Sequence, residues 1–335
     1  MAANWRFPMP DGWIILDKPL GVGSTHAVGA VKRNLREAGY GKVKVGHGGT
    51  LDPLAEGVLP IALGEATKLC GRMLDASKTY EFTVRFGEET DTLDLEGKVV
   101  ATSEMRPSLA EVEAILPRFT GPIEQVPPAY SALKVDGKRA YDLARSGEGV
   151  VLKARAVRVH ALAPLPFRGG AGGGVSRPGA APGEIPHPNP SLEGEGLQSV
   201  TLTATVSKGT YIRSLARDIA RALGTVGHVA MLRRTQAGPF TLEQAISLDK
   251  LNEIGKGAPL EDVILPLEAG LDDIPALSLD PEAARAVQQG RVLIGLPQGD
   301  GLYWARAGTV PIALMQIEAG TAIVVRGFNL TDVAE

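Results

Sequence analysis

Residues 46–69 read GHGGTLDPLAEGVLPIALGEATKL, and the rest of the 335-residue chain is organised around them. Gly48 and Gly49 permit positive φ or a close backbone approach. Pro53 fixes its own φ and drives Asp52 out of the helical region, which places a carboxylate at a chain reversal. An Asp-Pro pair is also a common helix start, with Asp as N-cap and Pro at the first helical position, and Gly57 then stops that helix after about one turn. The apolar run Val58, Leu59, Ile61, Ala62 and Leu63 returns to a core in either case. The expected product is one carboxylate on a rigid loop between buried segments.

Working outward, the length allows about two domains and a sizeable core. Cys70 is the single cysteine, so no internal disulfide forms and a reducing compartment fits. MAANWRFPMPDGW lacks a basic region followed by an apolar stretch, and no apolar run approaches a membrane span. A cytoplasmic protein is expected. The five histidines, His26, His47, His160, His187 and His228, show no metal-ligand spacing, and no dinucleotide or Walker motif occurs. The reading is therefore no metal and no cofactor.

The net charge of −3 argues against a nucleic-acid partner only while it is treated as uniform. Thr241–Glu282 holds ten acidic residues against Lys250 and Lys256, a net of −8, so the remainder carries +5. That suffices for steering toward phosphate, though charge alone does not name the partner.

Trp13–Leu16 reads as a strand followed by the loop DKPLG. Ser24 can cap a helix through Val28, Val31 and Leu35 that ends near Gly39, with Lys32, Arg33 and Arg36 on its other face. Lys78–Gly87 alternates as a strand, which makes Tyr80 an aromatic on a buried face. DTLDLEG at 91–97 lacks the acidic spacing of a calcium loop, and no chemistry is assigned to it. Ser108 and Glu111 form a capping box. Asp136-Gly137 marks a turn, and Val150–Ala163 and Val200–Val206 read as strands. Between these strands, Pro164–Gly196 has 16 Gly or Pro among 33 residues and reads as a mobile insertion. Arg213, Arg217 and Arg221 recur every four residues on the following helix, a stripe that as charges alone reads as solvated. After Pro275, Asp280-Pro281 starts a helix ending at Gly290, followed by strands at Leu302–Arg306, Ile312–Ile317 and Ala322–Arg326.

The central stretch closely resembles the signature of the TruB family of tRNA pseudouridine synthases. Further matches are DKPLG (Asp17–Gly21), KTYEF (Lys78–Phe82), SKGTYIRSLARD (Ser207–Asp218) and LRRTQAG (Leu232–Gly238), in order over about 220 residues. DPEAARAVQQGR and the hairpins after it resemble a PUA domain, a small RNA-binding module. The resemblance implies an α+β pseudouridine synthase fold: a mixed, mainly antiparallel sheet with flanking helices over 1–271, plus a PUA-like β-barrel domain at 275–330. This sequence has Gly48 and Glu56 where the family favours Thr, and Gly23 where a hydroxyl is common.

The resemblance implies isomerisation of the T-loop uridine of tRNA, position 55, with the tRNA T-stem loop as partner and no obligate protein partner. The N1–C1′ bond breaks, the base rotates, and C5 takes its place; no redox or hydrolytic step is involved. Asp52 is implied as nucleophile at C1′ or C6, Tyr80 as the residue against the base, and Arg213 as the guanidinium beside the carboxylate. A carboxylate in a dry pocket loses hydration that favours its charged form, and a neighbouring guanidinium opposes that loss. His47, Tyr211, Leu232 and Lys18 are implied at the substrate. The base must leave its stack, at a cost of a few kcal/mol offset by stacking. A non-catalytic RNA chaperone and a guide-RNA-dependent synthase are the competing readings. Intact Asp52, Tyr80 and Arg213 oppose the first, and the lack of basic extensions opposes the second.

Overall fold

The computed structural model describes residues 7, 9–131, 133–135, 137–146, 152–165 and 196–330. The chain begins with β1 (Gly12–Lys18), α1 (Ser24–Glu37), β2 (Val45–His47), β3 (Ala55–Leu63), a 3-10 turn at Gly64–Leu69 and α2 (Cys70–Asp75). It continues with β4 (Lys78–Phe86), β5 (Glu88–Thr90), β6 (Val99–Thr102), α3 (Leu109–Ile115) and β7 (Gly121–Gln125). The hairpin β8 (Lys134–Val135) and β9 (Lys138–Arg139) leads to α4 (Ala140–Arg145), β10 (Arg155–Pro164), β11 (Ser199–Val206), α5 (Ile212–Ala222) and β12 (Gly227–Ala237). Last come β13 (Phe240–Thr241), α6 (Leu248–Gly255), β14 (Ala276–Leu279), α7 (Pro281–Gln288), β15 (Leu293–Ile294), β16 (Gly301–Ala307), β17 (Val310–Glu318) and β18 (Thr321–Gly327).

Two compact units result, one combining Met1–Ala76 with Gln236–Glu335, the other Ser77–Thr235. In the first, Trp13 to Leu16 are almost wholly buried because β1 is covered on both faces, which explains its unbroken apolar run. One edge of β1 pairs antiparallel with β3, from Gly12 opposite Leu63 to Lys18 opposite Gly57. The other is taken by extended chain: Trp13 and Leu265 exchange backbone hydrogen bonds at 2.8 and 2.7 Å, and Ile246 N–H donates to Ile15 at 2.8 Å. Gly270 lies under the indole, where a Cβ would sit 2.7 Å from Trp13 Cζ2. Leu267, Leu271, Leu314 and Phe328 join Trp13, Ile15 and Val58 in one core. The C-terminal sheet therefore shares that core with β1.

The sheet itself runs β14-β16-β17-β18-β15, with β14 parallel to β16 and the other pairs antiparallel. With α7 it forms a PUA-like half-barrel around Leu277, Val287, Ile312, Met315 and Ile317. Asp280 caps α7, accepting from Ala283 N–H at 2.8 Å, with Pro281 at the first helical position.

In the second unit, strands run β12-β4-β11-β10-β7. The pairs β4–β11, β10–β11 and β7–β10 are antiparallel. α5 buries Ile212, Leu215 and Ile219 against Phe82, Val84, Leu202 and Ala204. A fully buried side chain of this size contributes about 1.5–3 kcal/mol. The β11 alternation is as the sequence indicates, with Val200, Leu202, Ala204 and Val206 inward. The expected mobile insertion joins neighbouring strands, but its residues 166–195 lie outside those described. Asp136 of the expected turn does too, while Gly137 takes φ 82° between β8 and β9.

Three local expectations are corrected. No helix follows Asp52: Ala55 N–H donates to Asp52 C=O at 3.0 Å, closing a turn that runs straight into β3. Gly57 is no helix stop but a strand residue at φ 101°. The N-cap of α1 is Gly23, without a side-chain cap, and Ser24 is spent elsewhere. Among the described residues, no helix is long and apolar enough to cross a membrane.

Candidate active site

The Asp52 loop is held on both flanks. Before it, the buried Ser24 hydroxyl accepts from Leu51 N–H at 2.8 Å and donates to Leu51 C=O at 2.9 Å. After it, Pro53 C=O accepts from Gly21 N–H at 2.9 Å and from Lys18 Nζ at 3.3 Å. Lys18 also donates to Val22 C=O at 2.6 Å and Pro19 C=O at 3.0 Å, and it is 0% exposed. DKPLG and the start of α1 thus form a bracket for the carboxylate-bearing turn. Lys18, expected at the substrate, has its ammonium engaged by carbonyls inside the fold.

His47 ends β2 opposite Ile61, and its Nδ1 accepts from Gly49 N–H at 3.4 Å. Gly48 N–H donates to Pro60 C=O at 2.8 Å. A Cβ at Gly48 would lie 2.6 Å from Met73 Cβ, so α2 occupies the space a side chain there would need. Cys70 Sγ packs against Gly46, and burial pushes its thiol up, with Lys44 opposing. Burial of this kind makes a thiol less reactive.

Arg213 lies in the first turn of α5, 7% exposed. Its Nη1 donates to Thr92 C=O at 2.8 Å and lies 3.2 Å from Asp94 Oδ2, while Nη2 donates to Tyr130 C=O at 2.9 Å. Asp94 Oδ1 in turn accepts from Thr92 Oγ1 at 2.5 Å and Glu96 N–H at 3.0 Å. Leu93, just before Asp94, is one of two non-glycine residues described at positive φ, 64°. A bulky side chain in that region costs about 1–2 kcal/mol. The bridge between Asp94 and Val229 and the bond from Val229 N–H to Leu93 C=O, 3.0 Å, hold the turn. DTLDLEG, assigned no chemistry from sequence, supplies the counterion of Arg213. Its Gly and acidic composition signals a tight turn; nothing local signals an arginine 119 residues on.

Tyr211 is the N-cap of α5, with Arg155 Cζ 4.8 Å from its ring centroid. Tyr80 on β4 lies opposite Ala204 and is half-buried, and Tyr80 and Leu232 both pack against the core beneath α5. Of the stripe expected to be solvated, Arg221 is exposed and Arg217 is half-buried. Arg217 binds Asp218 at 2.8 Å and Val126 C=O at 3.1 Å, and Arg221 binds Glu89 at 2.7 Å. Asp52, His47 and Lys18 thus belong to one compact unit; Tyr80, Tyr211, Arg213 and Leu232 belong to the other.

Residues 35–171 match the N-terminal domain of the TruB family pseudouridylate synthases, and 213–272 match the tRNA pseudouridylate synthase B C-terminal domain. A tRNA pseudouridine synthase B of Novosphingobium aromaticivorans is 67% identical over 98% of this chain and 100% of its own. The chain belongs to the TruB family of pseudouridylate synthases. Its counterpart in Zymomonas mobilis subsp. mobilis is 52% identical, over 95% of this chain and 96% of that one. Among solved structures, a chain of an H/ACA ribonucleoprotein bound to a substrate RNA containing 2′-deoxyuridine aligns at TM-score 0.66 and 25% identity. It covers 97% of this TruB-family chain and 87% of its own length. A chain of an archaeal Nop10–Cbf5 complex aligns at TM-score 0.65 and 25% identity, covering 97% and 88%. Among the described residues of this TruB-family protein, no group of three His, Cys, Asp or Glu could hold a metal ion.

Proposed function

We propose that this protein isomerises the T-loop uridine of tRNA, position 55, to pseudouridine, with Asp52 as the nucleophile. The observation that carries the reading is the double bracket on Asp52, whose neighbouring peptides are fixed by Ser24 and Lys18. A nucleophile held this way loses little freedom on reaching its transition state. In this reading Asp52 attacks the flipped nucleotide, the N1–C1′ bond breaks, and the base turns. C5 then bonds to C1′, the bond to Asp52 breaks and frees its carboxylate, the C5 proton goes to water, and N1 takes up a proton. Atoms and charge balance within substrate and water, so the reaction calls for no cofactor.

Arg213 is assigned the role of the site's guanidinium, anchored on Asp94, Thr92 and Tyr130. Tyr80 is assigned to the face of the base, Tyr211 and Leu232 to the nucleotide pocket, and His47 to the displaced RNA loop. Lys18 acts by holding Pro53. The residues after Pro275 add a second RNA-binding surface as a PUA-like domain. The proposed setting is the cytoplasm, without an obligate protein partner.

The test uses unmodified tRNA tritiated at uridine C5. Purified protein alone should release label to water, and Asp52→Asn should release none while still binding tRNA. Two of the structural neighbours come from H/ACA ribonucleoproteins, which favours guide dependence as the second reading. Release that requires an added guide RNA would replace the first reading with the second.

A further inference from the structure

We infer that Gln125 is a positioning residue: its carboxamide grips both polar groups of the Tyr211 peptide backbone and thereby sets where α5, and Arg213 on it, begins. The inference rests on the reading above and adds a residue to it. Gln125 is the last residue of β7 and is 1% exposed. Its Oε1 accepts from Tyr211 N–H at 2.8 Å, and its Nε2 donates to Tyr211 C=O at 3.1 Å. Two bonds to one residue fix rotation as well as position, as a neighbouring strand would.

The place of this grip gives it consequence. Helix N-termini leave their first N–H groups unpaired, and a Ser, Thr, Asp or Asn at the N-cap usually binds one of them. Here the N-cap is Tyr211, which offers no side-chain cap. The start of α5 is instead fixed from outside by Gln125. The residues that follow Gln125 continue the seat: Val126 C=O accepts from Ser214 Oγ at 2.9 Å, and Tyr130 C=O accepts from Arg213 Nη2 at 2.9 Å. Arg155, directly opposite Gln125 on β10, covers the Tyr211 ring and donates from Nη2 to Gly209 C=O. Backbone and ring of Tyr211 are thus held by two cross-strand neighbours, two residues before the guanidinium.

Gln125→Met keeps the volume and removes both bonds. A displacement of about 1 Å at a reacting group costs on the order of a hundredfold in rate. The single-turnover rate at saturating tRNA is expected to fall at least about tenfold, while the tRNA Kd changes less than about threefold. A residue needed only for folding would lower stability and leave the rate of the folded fraction unchanged. Should the variant not fold, hydrogen exchange of the wild-type Tyr211 amide reads the grip directly, and strong protection is expected. An unchanged rate, a change confined to Kd, or an unprotected Tyr211 amide would overturn the inference. A wild-type protein that releases no tritium would instead sink the functional reading, with the amide measurement still reporting on the clamp.

Discussion

Removing the Ser24 hydroxyl leaves the N–H and C=O of Leu51 unpaired in the interior, one residue before Asp52. Such a loss costs about 1–3 kcal/mol. Ser24→Ala should therefore lower the melting temperature and slow tritium release roughly tenfold or more. Thr25→Ala, on the exposed neighbour, should do neither. Gly48 offers a second case. Gly48→Thr would press on Met73 and destabilise by about 1–3 kcal/mol. Met73→Ala should not rescue Gly48→Thr in urea unfolding, because alanine keeps the Cβ that lies 2.6 Å away. Neither contact could be read along the chain. A serine ahead of an apolar periodic run reads as a cap because capping is local, whereas the partner Ser24 uses stands 27 residues on. The chain reversal at Asp52 was legible, since Pro53 restricts the backbone there wherever the rest of the fold lies.

The α1 helix presents Lys32, Arg33 and Arg36 to solvent, as its spacing indicated. If this face meets RNA phosphate, replacing all three with Ala should weaken tRNA binding. It should also reduce the slope of log K against log salt by about 2–3. The α5 stripe differs, because each of its arginines is tied to protein groups. Asp94→Asn removes the charge facing Arg213, and breaking such a buried pair costs about 3–5 kcal/mol. The expected result is a lower unfolding midpoint together with slower chemistry. Repeat spacing along a helix shows which residues share a face, but not what packs there. The α7 start and the Ser108–Glu111 box were legible for the opposite reason: both close within four residues.

For the molecule as a whole, the C-terminal sheet is tied to the early chain through Glu65. That carboxylate accepts from Lys68 Nζ and from Asn329 N–H, each at 2.6 Å, and Lys68 also reaches Gly327 C=O at 2.9 Å. Burial works against its charge, but these donors prevail and hold its carboxyl below the ordinary 4.5. A depressed folded value stabilises above the unfolded one and is lost as pH falls through it. Wild type should thus exceed Glu65→Gln in urea midpoint at pH 7, and the difference should shrink as pH falls below about 4.5. Asp11, raised by burial, works in the opposite sense, easing as it protonates. The fold class was legible through the resemblance of the motif string to the TruB family, while hydrophobic period located single strands and helices within it. The grouping of the first 76 residues with the last hundred was not, because nothing in a strand records which distant strand completes its core.

That grouping bears on how the chain is made. Trp13 and Val58 leave the ribosome at least about 250 residues before their core partners Leu314 and Phe328. At roughly 5–20 residues per second, the nascent β1–β3 pair waits on the order of 10–50 s for them. Ser77–Thr235 carries its own core and can close during that interval. The Asp52 loop precedes Ser77–Thr235 in the chain, and the compact unit that contains it is completed after that segment.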